Sequence, residues 1–169
     1  INLRDKLMNN DLAIEEIRHP LPNFTRETAI QKIRKAEDAW NTQNPEVVAT
    51  AYSLDSRWRN RDIFTQGREE IINLLNAKWQ KERHYKLIKE LWSVDNNRIA
   101  VRFAYEWQDE FNQWVRSYGN ENWQFNDKGL MEQRHASIND ILIDENERKF
   151  LWAGDKRPLN YPGLTELGL

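Results

Sequence analysis

Residues 98–142 decide the fold: RIAVRFAYEWQ (98–108), DEFN (109–112), QWVRSYGNENWQF (113–125), NDKG (126–129) and LMEQRHASINDIL (130–142). In Arg98–Gln108, Ile99, Val101, Phe103, Tyr105 and Trp107 fall on one side of a two-residue period, and Ala100, Arg102, Ala104 and Glu106 on the other. In Gln113–Phe125, one side carries Val115, Ser117, Gly119, Glu121, Trp123 and Phe125. The other carries Trp114, Arg116, Tyr118, Asn120 and Asn122. Leu130–Leu142 is a third strand of the same kind, and His84–Val94, closed by Asp95-Asn96-Asn97, is a fourth. Short turns between consecutive strands predict an antiparallel meander.

Upstream the period becomes helical. Ala29, Ile33, Ala36 and Trp40 recur at helix spacing behind Thr25, a capping residue, with Glu27 in the first turn. Asn44-Pro45 restarts a short helix, with Pro45 at the favoured first position. Ser56–Arg61 reads as a short strand. Gly67 opens a long helix with Ile71, Leu75 and Trp79 on one face. Helices followed by a long curling antiparallel sheet predict an α+β fold: a cone-shaped sheet wrapped around the helices, with a pocket at its open end. His19-Pro20-Leu21-Pro22 marks the edge of the folded body. The expected organisation is an N-terminal extension at 1–22, one domain at 23–143, and a tail at 144–169 laid over it with its last residues loosely held. Met8 is a candidate start.

Composition narrows the function. With 25 Lys plus Arg against 27 Asp plus Glu, the net charge of −2 provides no global field for nucleic acid or an anionic membrane. The chain has no cysteine, so disulfides, thiolate nucleophiles and Cys-ligated metals are excluded. No stretch reaches the roughly 20 apolar residues of a membrane span. The first ten residues do not read as a signal peptide, which makes the cytoplasm the expected compartment and the sequon at Asn23 incidental. His19, His84 and His135 lack metal-ligand spacing, and no phosphate loop, dinucleotide turn or nucleophile elbow occurs; neither metal nor cofactor is expected.

Several stretches together resemble the nuclear transport factor 2-like (SnoaL-like) superfamily. Trp40-Asn41, Asn44, Val48, Ala51-Tyr52, Asp55 and Gly67-Arg68-Glu69-Glu70-Ile71 resemble its front half. Trp58-Arg59-Asn60-Arg61, Lys89-Glu90-Leu91-Trp92, Arg98–Phe103 and Arg116–Trp123 are similar to an uncharacterised family within it. The resemblance runs from about Pro22 to the C-terminus. It implies the cone fold and a homodimer through the outer sheet face, but no particular reaction, since isomerases, dehydratases, cyclases and non-catalytic binders share the fold. Set against the superfamily's ketosteroid isomerases, the base aspartate falls at Asn60 and the oxyanion tyrosine at Ala36. Only the oxyanion acid is retained, at Glu121. Steroid isomerisation is therefore not expected, and no inward His supports a dehydratase.

Strand parity yields the candidate site. The apolar set of each strand must face the helices. If Phe125 pairs with Leu130, Glu121 lies opposite Arg134 and Val115 opposite Asp140, so Arg134, Ala136, Ile138 and Asp140 join Glu121 inside. The preceding hairpin sets Glu106 opposite Arg116 and Arg102 opposite Asn120, both outward. Glu121, Arg134 and Asp140 are thus the candidate catalytic residues, and Trp58, Asn60, Tyr105 and Trp123 the candidate ligand contacts. Glu121–Arg134 reads equally as a structural ion pair. Trp58 reads as core as well as contact, while Arg57, Arg59 and Arg61 fall on the opposite face, solvated or at a dimer interface. The expected function is a small-molecule-binding pocket. The alternatives are a cofactor-independent lyase, isomerase or hydrolase using Glu121 or Asp140 as acid or base, and an interaction module using the outer sheet face.

Overall fold

The computed structural model describes residues 2–3, 5 and 11–169, so Met8 lies outside the described residues. The first long helix, α1 (Arg26–Asn41), opens as expected at Thr25. The Thr25 hydroxyl accepts from Thr28 N (3.2 Å), and the Thr28 hydroxyl accepts from Thr25 N (2.8 Å), so two N–H groups that the helix leaves unpaired are satisfied reciprocally. Helix α2 (Pro45–Ala49) starts on Pro45, with Asn44 Oδ1 accepting from Glu46 N and Val47 N. Strand β1 (Tyr52–Asn60) is longer than predicted and turns at Arg61 into β2 (Ile63–Gln66), too short and exposed to show a period. Then come α3 (Gly67–Lys81), β3 (Arg83–Asp95), β4 (Arg98–Gln108), β5 (Trp114–Phe125), β6 (Met131–Ile143) and a terminal turn of helix, α4 (Leu164–Leu167).

The strands form one open sheet in the order β2-β1-β6-β5-β4-β3, curved around the N-terminal helices. The predicted meander β3–β6 is antiparallel throughout; β1 joins its far edge parallel to β6. Helix α1 packs on β3 and α3 on β1. The assigned faces hold. Ile99, Val101, Phe103, Tyr105 and Trp107 lie in the core with Val115, Trp123 and Phe125.

The β4–β5 register is as read, with Arg102 opposite Asn120 and Glu106 opposite Arg116. The β5–β6 register is not. Phe125 pairs with Met131, a bulge intervenes, and Glu121 then faces Ala136 while Arg134 faces Trp123 and Asp140 faces Ser117. The turn is longer than four residues because Asn126 N reaches Leu130 O (2.9 Å) and Asn126 Oδ1 accepts from Lys128 N and Leu130 N. Together the longer turn and the bulge move the pairing by two residues. Side chains alternate every residue, so a two-residue shift leaves every inward residue inward.

The outer face of β3 and β4 is covered by the tail. Phe150, Trp152 and Leu164 bury Ile88 and Ala104 in a second, smaller core. The outward Glu106–Arg116 pair is enclosed there, with Lys149 N and Phe150 N donating to Glu106. The last residues, expected to be loose, are tied down by Arg102 Nη1 donating to Leu169 O (2.7 Å). No helix among the described residues is long and apolar enough to cross a membrane.

Gly119 marks the tightest point of the sheet. It sits opposite Phe103, and a Cβ there would lie 2.1 Å from the Phe103 ring. Gly119→Ala should cost about 1–3 kcal/mol by displacing that ring. Chemical denaturation would show it, and an unchanged midpoint would contradict the packing.

Candidate functional site

The open end of the cone is a cleft of about 590 Å3 between α3, the β1–β2 turn and the rims of β4 and β6. One wall is apolar, with Leu74 and Ala77 from α3, Ile63 and Phe64 from β2, and Trp107 from β4. The other wall is polar and converges on Tyr105. Arg61 adopts a left-handed backbone (φ 58°) at the turn after β1, which swings its side chain to the rim. There it donates to Asp140 Oδ1 (2.7 Å) and Tyr105 Oη (3.5 Å). This corrects the parity reading that sent Arg61 to the outer face: strand alternation stops at a left-handed residue.

Asp140 Oδ1 also accepts from the Ser117 hydroxyl (2.5 Å), which in turn accepts from Trp107 Nε1 (3.0 Å). Partial burial raises the Asp140 carboxyl, but the hydrogen bonds from Arg61 and Ser117 outweigh it and hold the group below its ordinary value. Its Oδ2 has no protein partner among the described residues. On the opposite side Lys78 pairs with Glu82 (2.5 Å) and lies 4.1 Å from the Tyr105 ring centroid. Burial would lower the Lys78 ammonium; Glu82 and Tyr105 together raise it instead.

Behind this wall the cone is filled. The side chain of Glu121 is fully buried between two cations, with Arg134 Nε donating to Oε2 (2.9 Å) and Lys89 Nζ bound to Oε1. Burial raises Glu121, but Lys89 and Arg134 overcome it and keep the group a carboxylate. Lys89 is lowered to about 8, chiefly by burial and against the pull of Glu121. Aromatic rings enclose the excess positive charge. Lys89 lies 4.5 Å from the Phe103 centroid and 5.5 Å from that of Trp123; Arg134 stacks 4.9 Å over Trp40 and 4.7 Å over Trp58. Arg134 Nη1 reaches through to Asn60 Oδ1 (3.0 Å), and Asn60 lines the cleft.

The candidate residues therefore divide. Asn60, Tyr105 and Asp140 line the cleft. Glu121, Arg134 and Trp58 are buried behind it, and Trp123 lies deeper, at the other end of the core. Sequence reasoning missed four charged groups. Lys89 was legible, since it takes the inward slot between Leu87 and Leu91. Lys78 sits one turn from Leu74 and Leu75 on α3 and carries no such signal. Arg61 was misplaced. Glu37, fully buried on α1, accepts from Lys89 N (2.9 Å) and from Arg157 of the tail (2.9 and 3.1 Å), a contact across 120 residues that no local pattern announces. Among the described residues no three His, Asp or Glu side chains gather as a metal-binding group.

A curved sheet wrapped on N-terminal helices is the fold of nuclear transport factor 2-like, SnoaL-like proteins. Within that class the chain belongs to the family described as "Protein of unknown function (DUF1348)", whose profile matches residues 22–151. Comparison with curated proteins finds no significant match. Solved structures share the fold at low identity. The epoxide hydrolase/cyclase-like enzyme SalBIII of pyran ring formation in salinomycin is 11% identical, at a TM-score of 0.60 over 67% of this chain and 92% of that one. A protein of unknown function from Burkholderia pseudomallei K96243 is 17% identical, at 0.59 over 66% and 90%. The hexachlorocyclohexane dehydrochlorinase LinA type 2 is 15% identical, at 0.57 over 76% and 94%.

Replacing Glu121 tests its place between the cations. Glu121→Gln strands two buried charges and should destabilise by about 3–5 kcal/mol. Because the folded carboxyl lies below its ordinary 4.5, its contribution is present above that pH and is lost as pH falls below it. The variant should therefore show a shallower acid limb in stability against pH. An unchanged melting temperature at pH 7 would contradict the cluster.

Proposed function

We propose that this chain binds a small molecule bearing a carbonyl or carboxylate oxygen on an apolar body, in the cleft at the mouth of the cone. The observation that carries this reading is the orientation of Asn60. Its Oδ1 is committed to Arg134, a pure donor, so the amide presents its Nδ2 N–H donors to the cleft. Arg61, Lys78 and the Tyr105 hydroxyl flank the same space, so a ligand oxygen meets an array of donors while Leu74, Phe64 and Trp107 cover its apolar part. A volume of about 590 Å3 lies within the usual range of ligand sites, about 300–1,000 Å3.

A second reading, acid–base catalysis, is favoured by Asp140. Its Oδ2 has no protein partner among the described residues, and its lowered carboxyl stays a carboxylate at neutral pH, a weak but available proton acceptor at the cleft. Glu121 fits this role poorly, since both its oxygens are occupied. That SalBIII and LinA are enzymes on this fold supports keeping the reading. A pairing of two copies through the sheet is left the uncovered part, β1, β6 and the stretch of β5 from Tyr118 onward, since the tail also covers the start of β5 at Arg116. On β3 and β4 the tail lies over the outer face, and Arg116 is enclosed beneath it.

Screening carbonyl- and carboxylate-bearing aromatic fragments by calorimetry tests both readings. Binding should weaken about tenfold in Asn60→Leu, the worth of roughly one hydrogen bond, and hold in Glu121→Asp if the fold holds. Asp140→Asn should keep binding and abolish any turnover. Fragments that bind Asn60→Leu and the parent equally would remove the donor array from the account.

A further inference from the structure

A second feature lies at the β5–β6 turn, the other end of the strands from the cleft. A gap of about 20 Å3 opens between α1, the α2–β1 junction and the turn. That is room for about one water-sized particle. Three cations line it (Arg18, Lys32 and Lys35), and no carboxylate does. The remaining wall is mainly small and apolar, with Ala36, Ala39 and Val48 facing Phe125 and Met131.

Lys32 makes the gap unusual. Its side chain sits on the buried face of α1, and the residue is only 5% exposed. The ammonium donates to Arg18 O (2.6 Å) and Gly129 O (2.8 Å), which leaves one of its three N–H groups and its whole charge without a carboxylate among the described residues. The neighbouring cations do not compensate. Arg18 is bound to Thr50 Oγ1 (3.1 Å) and Lys35 to His19 O (2.8 Å), both uncharged acceptors. Burial, then Arg18 and Lys35, lower Lys32 to about 7. A further donor is available, because Trp123 lines the gap and its buried indole Nε1 has no partner. Lys32 faces only two carbonyls and the Phe125 ring (5.2 Å to its centroid). With Arg18, Lys35 and Trp123, whose N–H is unpaired, it borders a space for one particle, the complement of a single small anion.

We propose that this gap is a binding site for one monovalent anion of halide size, held by Lys32 and Trp123 and closed by Arg18 and Lys35. The anion supplies the negative charge that Lys32 lacks and ties the segment around Arg18 to α1 and the β5–β6 turn, since Lys32 already joins the carbonyls of both. The site is independent of the cleft and of any ligand there.

The test is thermal unfolding at pH 6, where Lys32 is protonated, with chloride replaced stepwise by gluconate at constant ionic strength. Binding to the folded state alone raises the melting temperature with ligand concentration along a saturable curve. Chloride should produce that curve in the parent chain and in Lys156→Met, a substitution at an exposed surface lysine. Lys32→Met should abolish the chloride dependence. If Lys32→Met does not fold, Lys35→Met at the rim should raise the apparent chloride dissociation constant about tenfold. Equal melting temperatures in chloride and gluconate would overturn the proposal, as would an unchanged chloride response in Lys32→Met or Lys35→Met.

Discussion

The carboxylate of Glu121, held between Lys89 and Arg134 inside a shell of Trp40, Trp58, Trp123 and Phe103, sets what the rest of this molecule can be. One acid and two bases are buried together, so the interior carries an excess positive charge that water cannot solvate. The ring faces receive it, and the two cations in turn orient the rings. A cone that in principle encloses a ligand is thereby occupied by its own side chains. The space left for a ligand lies beyond Arg134, at the mouth.

The same cluster joins the two ends of the fold. On one side Arg134 fixes the Asn60 amide, so the buried charge decides which group the cleft presents. On the other, the Lys89 backbone is held by Glu37, and Glu37 is held by Arg157 from the tail. Arg157, Glu37, Lys89, Glu121, Arg134 and Asn60 therefore form a line of alternating charge ending in an amide, running from the tail to the cleft. The tail also shields Ile88, Ala104 and the Glu106–Arg116 pair on the sheet's outer face. It acts as an outer layer of this domain and belongs to its core as much as α1 does.

Much of this was legible in the sequence, because alternation over eleven to thirteen residues leaves little freedom. The four meander strands and the buried faces of β4 and β5 followed from the two-residue period, and the helix starts at Thr25 and Asn44 from capping and first-turn preferences. The inward placement of Glu121, Arg134 and Asp140 survived a wrong register, since the longer turn and bulge shift the pairing by two. What escaped had a physical reason. Arg61 leaves strand geometry at a left-handed residue, which alternation does not describe. β2 is too short for a period. Lys89 could have been read from parity, but a lysine among inward leucines is intelligible only once Glu121 is known to face it. Glu37 and Arg157 meet through the folding of the tail, and the cleft exists only because α3 stands opposite Tyr105; neither is written in any local pattern.

The most direct measurement is lysine modification in the native state, with an amine-reactive reagent and site-resolved mass spectrometry. If the cone is filled as described, Lys89 reacts only as fast as the whole domain unfolds, while Lys81 at the mouth, exposed and in no ion pair among the described residues, reacts at once. Lys89 reacting in the folded protein at a rate near that of Lys81 would mean that the interior is open to solvent, and the account of a charge cluster closing the cone would fail.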